Sequence, residues 1–224
     1  MLQRRGIRIE GSTRGVRWPE RSPVTDGHVK LCDLLSVPMA DLVSAFMKPS
    51  QNLETDLIFD YIGESRRTAE TPAWRDSEQL ALGALREFLL AQGVPADEVR
   101  FEEGSGLSRN NLTTARATVA LLTAMSTHRA AKEFIDSLPI AGVDGTMRRR
   151  LKGTPAEGNL RAKTGSLRYS RALSGYLTTA AGERLVVSLM LNRQPPTSSG
   201  RSVADELDEI VLMLARFAGR SSAE

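Results

Sequence analysis

Three short strings in this chain carry side chains able to act on a peptide or a carboxylate. Lys163-Thr164-Gly165 lies late in a segment flanked by apolar residues, where a lysine is costly unless its ammonium reaches a polar cleft. The ammonium and the threonine hydroxyl could together grip a carboxylate, and a glycine lets a ligand backbone approach a strand edge. A chance Lys-Thr-Gly at a strand end has the same spelling, since three residues carry little information. Ser50-Gln51-Asn52 sets a hydroxyl and a carboxamide two positions apart beside a helix start. That is the pattern of an N-cap, and equally of a turn that relays a proton to a leaving amine and orients a substrate amide. Gly104-Ser105-Gly106-Leu107-Ser108-Arg109 joins two glycines, which free the backbone, to a guanidinium fork suited to a carboxylate or a cluster of carbonyls. The alternative there is a surface loop with one solvated arginine.

The elements that must position these groups follow from the periodicity. Ile7-Arg8-Ile9 alternates like a strand closed by Gly11, residues 12–27 are rich in Arg, Pro, Gly and Ser and suit a loop, and residues 29–35 form a second candidate strand. From Pro38 the period becomes helical: Leu42, Val43, Phe46 and Met47 share a face that ends at Lys48-Pro49, which leaves Ser50 between two helices. The next helix covers about residues 53–63, with Leu53, Leu57, Ile58, Tyr61 and Ile62 expected inward. Residues 78–92 form an amphipathic helix with Ala81, Leu82, Leu85, Phe88 and Leu89 on its apolar face and Gly93 as its stop. Residues 101–111 are a polar, glycine-rich loop. Helices over 114–126, capped near Thr113, and over 130–138 follow, then a loop-rich stretch over 142–158. The last third alternates at period two over 160–167, 173–179 and 184–192, the latter two forming an antiparallel hairpin turned at Ala181-Gly182. A final amphipathic helix over 203–217 directs Leu207, Ile210, Val211 and Leu214 inward.

Composition narrows the class. The chain has 224 residues, 41% hydrophobic and 25% charged, which suits a folded globular protein with a sizeable core. A net charge of +3 with scattered arginines argues against a nucleic-acid partner. Residues 147–152 are the one dense basic cluster and are expected on a solvated turn or helix face. Cys32 is the sole cysteine and suits a buried structural thiol; His28 and His128 stand apart without the spacing of metal ligands. The apolar runs are too short to span a bilayer, and the residues after Met1 do not have the pattern of a signal peptide.

Together and in this order, the strings resemble the class C low-molecular-mass penicillin-binding proteins, the D-alanyl-D-alanine carboxypeptidase and endopeptidase family of bacterial cell walls. The resemblance runs from about Leu34 to Asn192. Besides the three strings, with Lys48-Pro49 before the first and Ala162 and Ser166-Leu167 around the last, it rests on Leu138-Pro139-Ile140-Ala141-Gly142-Val143-Asp144-Gly145-Thr146 and Leu173-Ser174-Gly175-Tyr176-Leu177-Thr178-Thr179. The block ending in Thr146 is assigned a structural turn and no chemistry. The resemblance implies an α/β (α+β) fold of the penicillin-binding and β-lactamase type, with an antiparallel sheet, flanking helices and an all-helical lobe. It implies a serine acyl-transfer site in which a Ser-x-x-Lys serine attacks the D-Ala-D-Ala carbonyl and water later hydrolyses the acyl-enzyme. Ser50 would shuttle the proton and Asn52 anchor the substrate amide. Lys163 and Thr164, with Gly165 and Ser166 beside them, would bind the terminal carboxylate and line the oxyanion site, and Arg109 would lie on the substrate side. No cofactor or metal is implied. The partners would be peptidoglycan stem peptides and β-lactams, in a periplasmic or other extracytoplasmic setting.

No Ser-x-x-Lys occurs in the 224 residues: Ser44 precedes Lys48 by four positions where the motif needs three. Ser50 also follows only 49 residues, whereas the family places the nucleophile and two inserted domains ahead of Ser-x-Asn. The expectation is therefore a C-terminal part, with residues 1–33 the remnant of an inserted domain and linker and residues 34–224 the end of the catalytic domain. Such a chain would be inactive alone and would need an N-terminal segment as partner; a gene fragment, a split enzyme and a non-catalytic relative that binds stem peptides or another protein are the alternatives. Its sheet would expose an unpaired edge, inviting instability or self-association. Arg168 stands where the family often has an uncharged polar residue.

Overall fold

The computed structural model describes residues 3–8, 10, 33–193 and 202–220. These divide into a small unit within Met1–Ser36 and a larger one, Val37–Glu224. In the small unit Gln3–Arg5 makes one turn of 3-10 helix, and Arg8 pairs with Glu10 across 3.6 Å in full exposure. The strand expected around Ile7 does not form over Ile7 and Arg8, which are irregular and exposed; Ile9 and Gly11 lie outside the described residues. The second expected strand fails over its described part too, because Leu34 and Leu35 are 99% and 86% exposed and bury nothing that would hold a ladder. The remainder of that strand, His28, Cys32 and the loop over 12–27 lie outside the described residues.

The larger unit is α+β. Helices α1 (Met39–Met47), α2 (Asn52–Ser65), α3 (Ser77–Ala91), α4 (Ala115–Thr127) and α5 (Ala131–Ser137) precede a three-stranded antiparallel sheet, and α6 (Val203–Arg216) closes it. The sheet runs β3 (Arg161–Leu167), β4 (Ser170–Thr178), β5 (Arg184–Asn192) in that order. Two very short strands, β1 (Val99–Arg100) and β2 (Leu112–Thr113), pair across the glycine-rich loop, a pairing that the sequence pattern does not announce. Among the described residues β5 pairs with β4 alone, which leaves its far edge free.

Alternation sorts the two faces of the sheet. Ala162, Leu173, Leu177 and Val187 join Leu207, Val211 and Ala215 of α6 in the main core. On the opposite face Tyr176 packs with Leu122 of α4 and with Leu138, and its hydroxyl donates to Leu122 O at 2.6 Å. Lys163 pairs with Ser174 across β3–β4, so its side chain belongs to this second face, toward the helical lobe. The register depends on Gly175, opposite Ala162, where an added Cβ would overlap Arg161 O.

Several inward faces differ from expectation. On α2, Leu53, Leu57, Tyr61 and Ile62 are exposed, while Phe59 and Gly63 are buried. The reason is a close crossing with α3: a Cβ on Gly63 would overlap Ser77 O, so the helices meet at that glycine. Residues 57 and 59 are about 200° apart around a helix, and burying one turns the other outward. Phe88 of α3 and Ile210 of α6 are each 38% exposed, the buried stripes being Leu80, Ala81, Ala84 and Leu89 in the first and Leu207, Val211 and Ala215 in the second. The cap of α4 is Thr114, whose side chain accepts from Ala117 N at 3.0 Å; Thr113 is committed to β2. The basic cluster is only partly solvated: Met147 and Leu151 are buried, and Arg150 grips Asp208 of α6 through bonds of 2.7 and 3.1 Å. His128 accepts from Ala130 N at 3.2 Å and meets Phe88 edge-on, a structural role. No helix among the described residues is long and apolar enough to cross a membrane.

Burial pushes the Tyr176 phenol up to about 12 from its ordinary 10.0. The folded state therefore favours the neutral phenol, and the stability this provides is complete below pH 10.0 and is lost as pH rises toward about 12. Tyr176→Phe should lose about 1 kcal/mol in urea denaturation at neutral pH, since Leu122 O is left without its donor, and should flatten the alkaline decline. Gly175→Ala should cost more, about 3 kcal/mol, because the clash is with backbone that cannot give way.

Candidate functional site

The turn joining α1 to α2 presents Ser50. Gln51 N bonds to Phe46 O at 2.9 Å and closes the turn, and Ser50 takes φ +64°, a left-handed conformation uncommon for a residue with a side chain. Gln51, not Ser50, is the N-cap of α2, and it makes no side-chain cap bond. The Ser50 hydroxyl is thus free of the capping duty that the sequence pattern allows. It accepts a hydrogen bond from Lys163 Nζ at 2.6 Å, across 113 positions of sequence. Asn52 is the first residue of α2 and is exposed.

Lys163 also donates to Thr164 O at 3.0 Å, and among the described residues no carboxylate pairs with it. Burial alone holds its ammonium below the ordinary value of 10.5. The Thr164 hydroxyl is bonded to that of Thr146 at 2.8 Å. Gly165 and Ser166 follow, both exposed. Apart from the bridge between Ile140 and Arg161, the outer edge of β3 is unpaired among the described residues. A peptide backbone laid along that edge would meet one ammonium and several hydroxyls, a set able to hold a carboxylate and to move a proton over a short path.

Arg109 sits on the loop between β1 and β2. Glu103 organises that loop: its carboxylate accepts from Ser105 N, Gly106 N, Ser108 N and Asn111 Nδ2 at 2.5–3.0 Å. Burial pushes the Glu103 carboxyl up, but the Ser105 hydroxyl and the backbone amides of Ser108, Ser105 and Gly106 outweigh it and hold the group below its usual range. Gly104 lies against Phe59, where a Cβ would come within 2.8 Å of the ring-bearing carbon. Arg109 is exposed, and its guanidinium reaches Arg168 O, at the turn after β3, at 3.4 Å. The structure therefore brings Ser50, Lys163 and Thr164 together, keeps Gly165 and Ser166 on the adjoining edge, and sets Arg109 toward the far end of β3 without a bond to Ser50 or Lys163. Thr146 joins the cluster although the sequence assigns its block no chemistry; its place directly after Gly145 in that block is the one available signal.

Comparison with known proteins places this geometry in context. A family model described as the D-Ala-D-Ala carboxypeptidase 3 (S13) family matches residues 1–214. A D-alanyl-D-alanine carboxypeptidase of Actinomadura sp. (strain R39) is 35% identical over 199 residues, covering 87% of this chain and 35% of that protein. Penicillin binding protein 4 (dacB) from Haemophilus influenzae matches in crystal structure with a TM-score of 0.65 at 28% identity, covering 79% of this chain and 40% of that one. The same protein has also been crystallised with a novel β-lactam. The TLA-3 extended-spectrum β-lactamase shares the fold alone, with a TM-score of 0.56 at 16% identity over 81% of this chain and 63% of that one. The chain spans 35% to 40% of the length of the first curated relatives it matches.

The Lys163 environment is directly measurable. In a pH titration followed by NMR of labelled lysines, Lys163 should show its midpoint below 10.5 and Lys132, held by Asp136, above it. A Lys163 midpoint at or above that of Lys132 would contradict the buried, unpaired ammonium.

Proposed function

The chain belongs to the D-Ala-D-Ala carboxypeptidase 3 (S13) family, and on that premise we propose that it is the C-terminal portion of a serine-type D-Ala-D-Ala carboxypeptidase acting on peptidoglycan stem peptides outside the cytoplasm. In this reading residues 1–33 are the end of an inserted domain and residues 34–224 complete the catalytic domain. The contact of 2.6 Å between Ser50 Oγ and Lys163 Nζ carries the proposal, because it joins the two strings whose separate spellings are ambiguous.

The nucleophile is a serine of a Ser-x-x-Lys motif on a polypeptide segment beyond these 224 residues. Its oxygen forms a bond to the penultimate D-Ala carbonyl carbon, and its proton passes to the lysine of its own motif. Ser50 relays a proton onto the nitrogen of the leaving D-Ala as the peptide C–N bond breaks. Water then adds to the ester, and the serine leaves with a proton restored. Lys163 and Thr164 hold the terminal carboxylate until the D-Ala that carries it leaves, Gly165 and Ser166 offer the strand edge to the substrate backbone, and Asn52 faces the substrate amide. A lysine whose proton is held less tightly than usual suits both jobs, since it can bind an anion and exchange a proton with Ser50. β-Lactams enter as carboxylate-bearing acyl donors for the same serine.

Two surfaces support a covering segment: the outward apolar face of α2 at Leu53, Leu57 and Tyr61, and the edge of β5 that is unpaired among the described residues. The absence of Ser-x-x-Lys favours one rival, a non-catalytic binder of stem peptides. Fluorescent penicillin separates them. The 224-residue chain alone should take no covalent label. Co-expressed with a segment that carries Ser-x-x-Lys, the complex should label and release D-Ala, and Lys163→Ala should slow labelling by about 10²–10³-fold. A complex that assembles and binds stem peptide without ever labelling would favour the binder.

A further inference from the structure

Ser50 holds an unfavourable backbone conformation, and no capping bond keeps it there. The Gln51 N–Phe46 O bond closes the turn but does not tie it to β3. The neighbouring Lys48 is tied at both ends to the stretch over residues 138–146. Its ammonium, 22% exposed, donates to Leu138 O at 3.0 Å and to Asp144 Oδ2 at 2.7 Å. The other carboxylate oxygen, Asp144 Oδ1, accepts from Ile140 N at 2.8 Å. The Lys48 carbonyl accepts from Thr146 N at 3.0 Å, and Gly145 backs so closely against it that an added Cβ would stand 2.5 Å from the oxygen. Ser44, four positions earlier, takes no part in binding the ammonium.

The same stretch holds Lys163. Pro139 O accepts from Ala162 N at 2.9 Å, one residue before Lys163, and Thr146 bonds to Thr164, one residue after it. Leu138, Pro139 and Ala141 are fully buried, so the stretch is a rigid support. Exposed ion pairs contribute little, but this one is half-buried and every partner is also bonded to backbone.

We propose that Lys48, acting through Asp144, is a positioning residue that locks the α1–α2 turn to the support under β3 and so holds Ser50 Oγ against Lys163. The proposal rests on Ser50 and Lys163 forming one site, as argued above. It adds residues outside the strings themselves, and it explains why Lys48 directly precedes the turn.

A direct test uses the full chain with isotope-labelled lysine, of which there are five: Lys30, Lys48, Lys132, Lys152 and Lys163. The readout is the titration midpoint of Lys163. Of the other charges near this support, Arg161, Asp136 and Lys132 pair among themselves at 3.5 and 2.6 Å, Glu157 beside Gly142 accepts from Gly153 N at 2.6 Å, and all remain in every variant. Loss of positioning lets water reach Lys163 and raises its midpoint. Asp144→Asn separates this from simple electrostatics, because removing a nearby negative charge by itself lowers a lysine midpoint. The substituted side chain keeps an oxygen for Ile140 N, which preserves folding. The expected result is a rise of about half a pH unit or more in Asp144→Asn and in Lys48→Met, with Lys48→Arg nearer the parent protein. A fall or no change in Asp144→Asn, with thermal unfolding still cooperative, overturns the positioning role and leaves the carboxypeptidase proposal standing. A parent midpoint at the ordinary value means that Lys163 is open to water from the start, and it overturns the positioning role as well.

Discussion

One hydrogen bond, from Lys163 Nζ to Ser50 Oγ at 2.6 Å, joins two distant pieces of chain at the proposed site. Ser50 belongs to a turn between two helices and Lys163 to a strand more than a hundred residues later. The serine caps no helix, and the lysine, which also donates to Thr164 O, has no carboxylate partner among the described residues. The arrangement costs free energy on both sides, in a left-handed serine and a desolvated ammonium. Strain and desolvation at the same contact accord with the proposed site for binding and proton transfer.

The fold provides that contact from two layers. The main core, between the sheet and α6, fixes β3 and β4 through Ala162, Leu173 and Leu177. The opposite face of the sheet meets the helical lobe around Tyr176, Leu122 and Leu138, and Lys163 lies on that face by register with Ser174. Gly175 allows β3 and β4 to approach, and Gly63 allows α2 and α3 to do so. The glycine-rich loop is folded around the Glu103 carboxylate and rests on Phe59, which brings Arg109 to the end of β3.

Much of this was legible because it is local. Period-two alternation located β4 and β5, with the turn at Gly182, which takes φ +79°. The helix stops at Gly93 and at Lys48-Pro49 follow from residue chemistry alone. What could not be read locally is which apolar face turns inward: on α2 a close helix crossing at Gly63 overrides the larger stripe of Leu53, Leu57 and Tyr61. In the site, Lys163, Thr164 and Ser50 were legible as side-chain types in suggestive spellings. Thr146, Asp144 and Lys48 were not, since their contacts depend on long-range backbone bonds that no spacing encodes. Over their described residues, Ile7, Arg8, Leu34 and Leu35, the expected strands do not form, because alternation forms a strand only where a neighbour supplies a ladder and a face to bury.

The convergence of Ser50 with Lys163 can be weighed thermodynamically by a double-mutant cycle in urea. Ser50→Ala, Lys163→Met and the pair together should show a coupling of about 1.5 kcal/mol, as for a hydrogen bond to a charged donor. Additive effects, with no coupling beyond error, would mean that the two side chains do not meet, and the shared site would be lost with them.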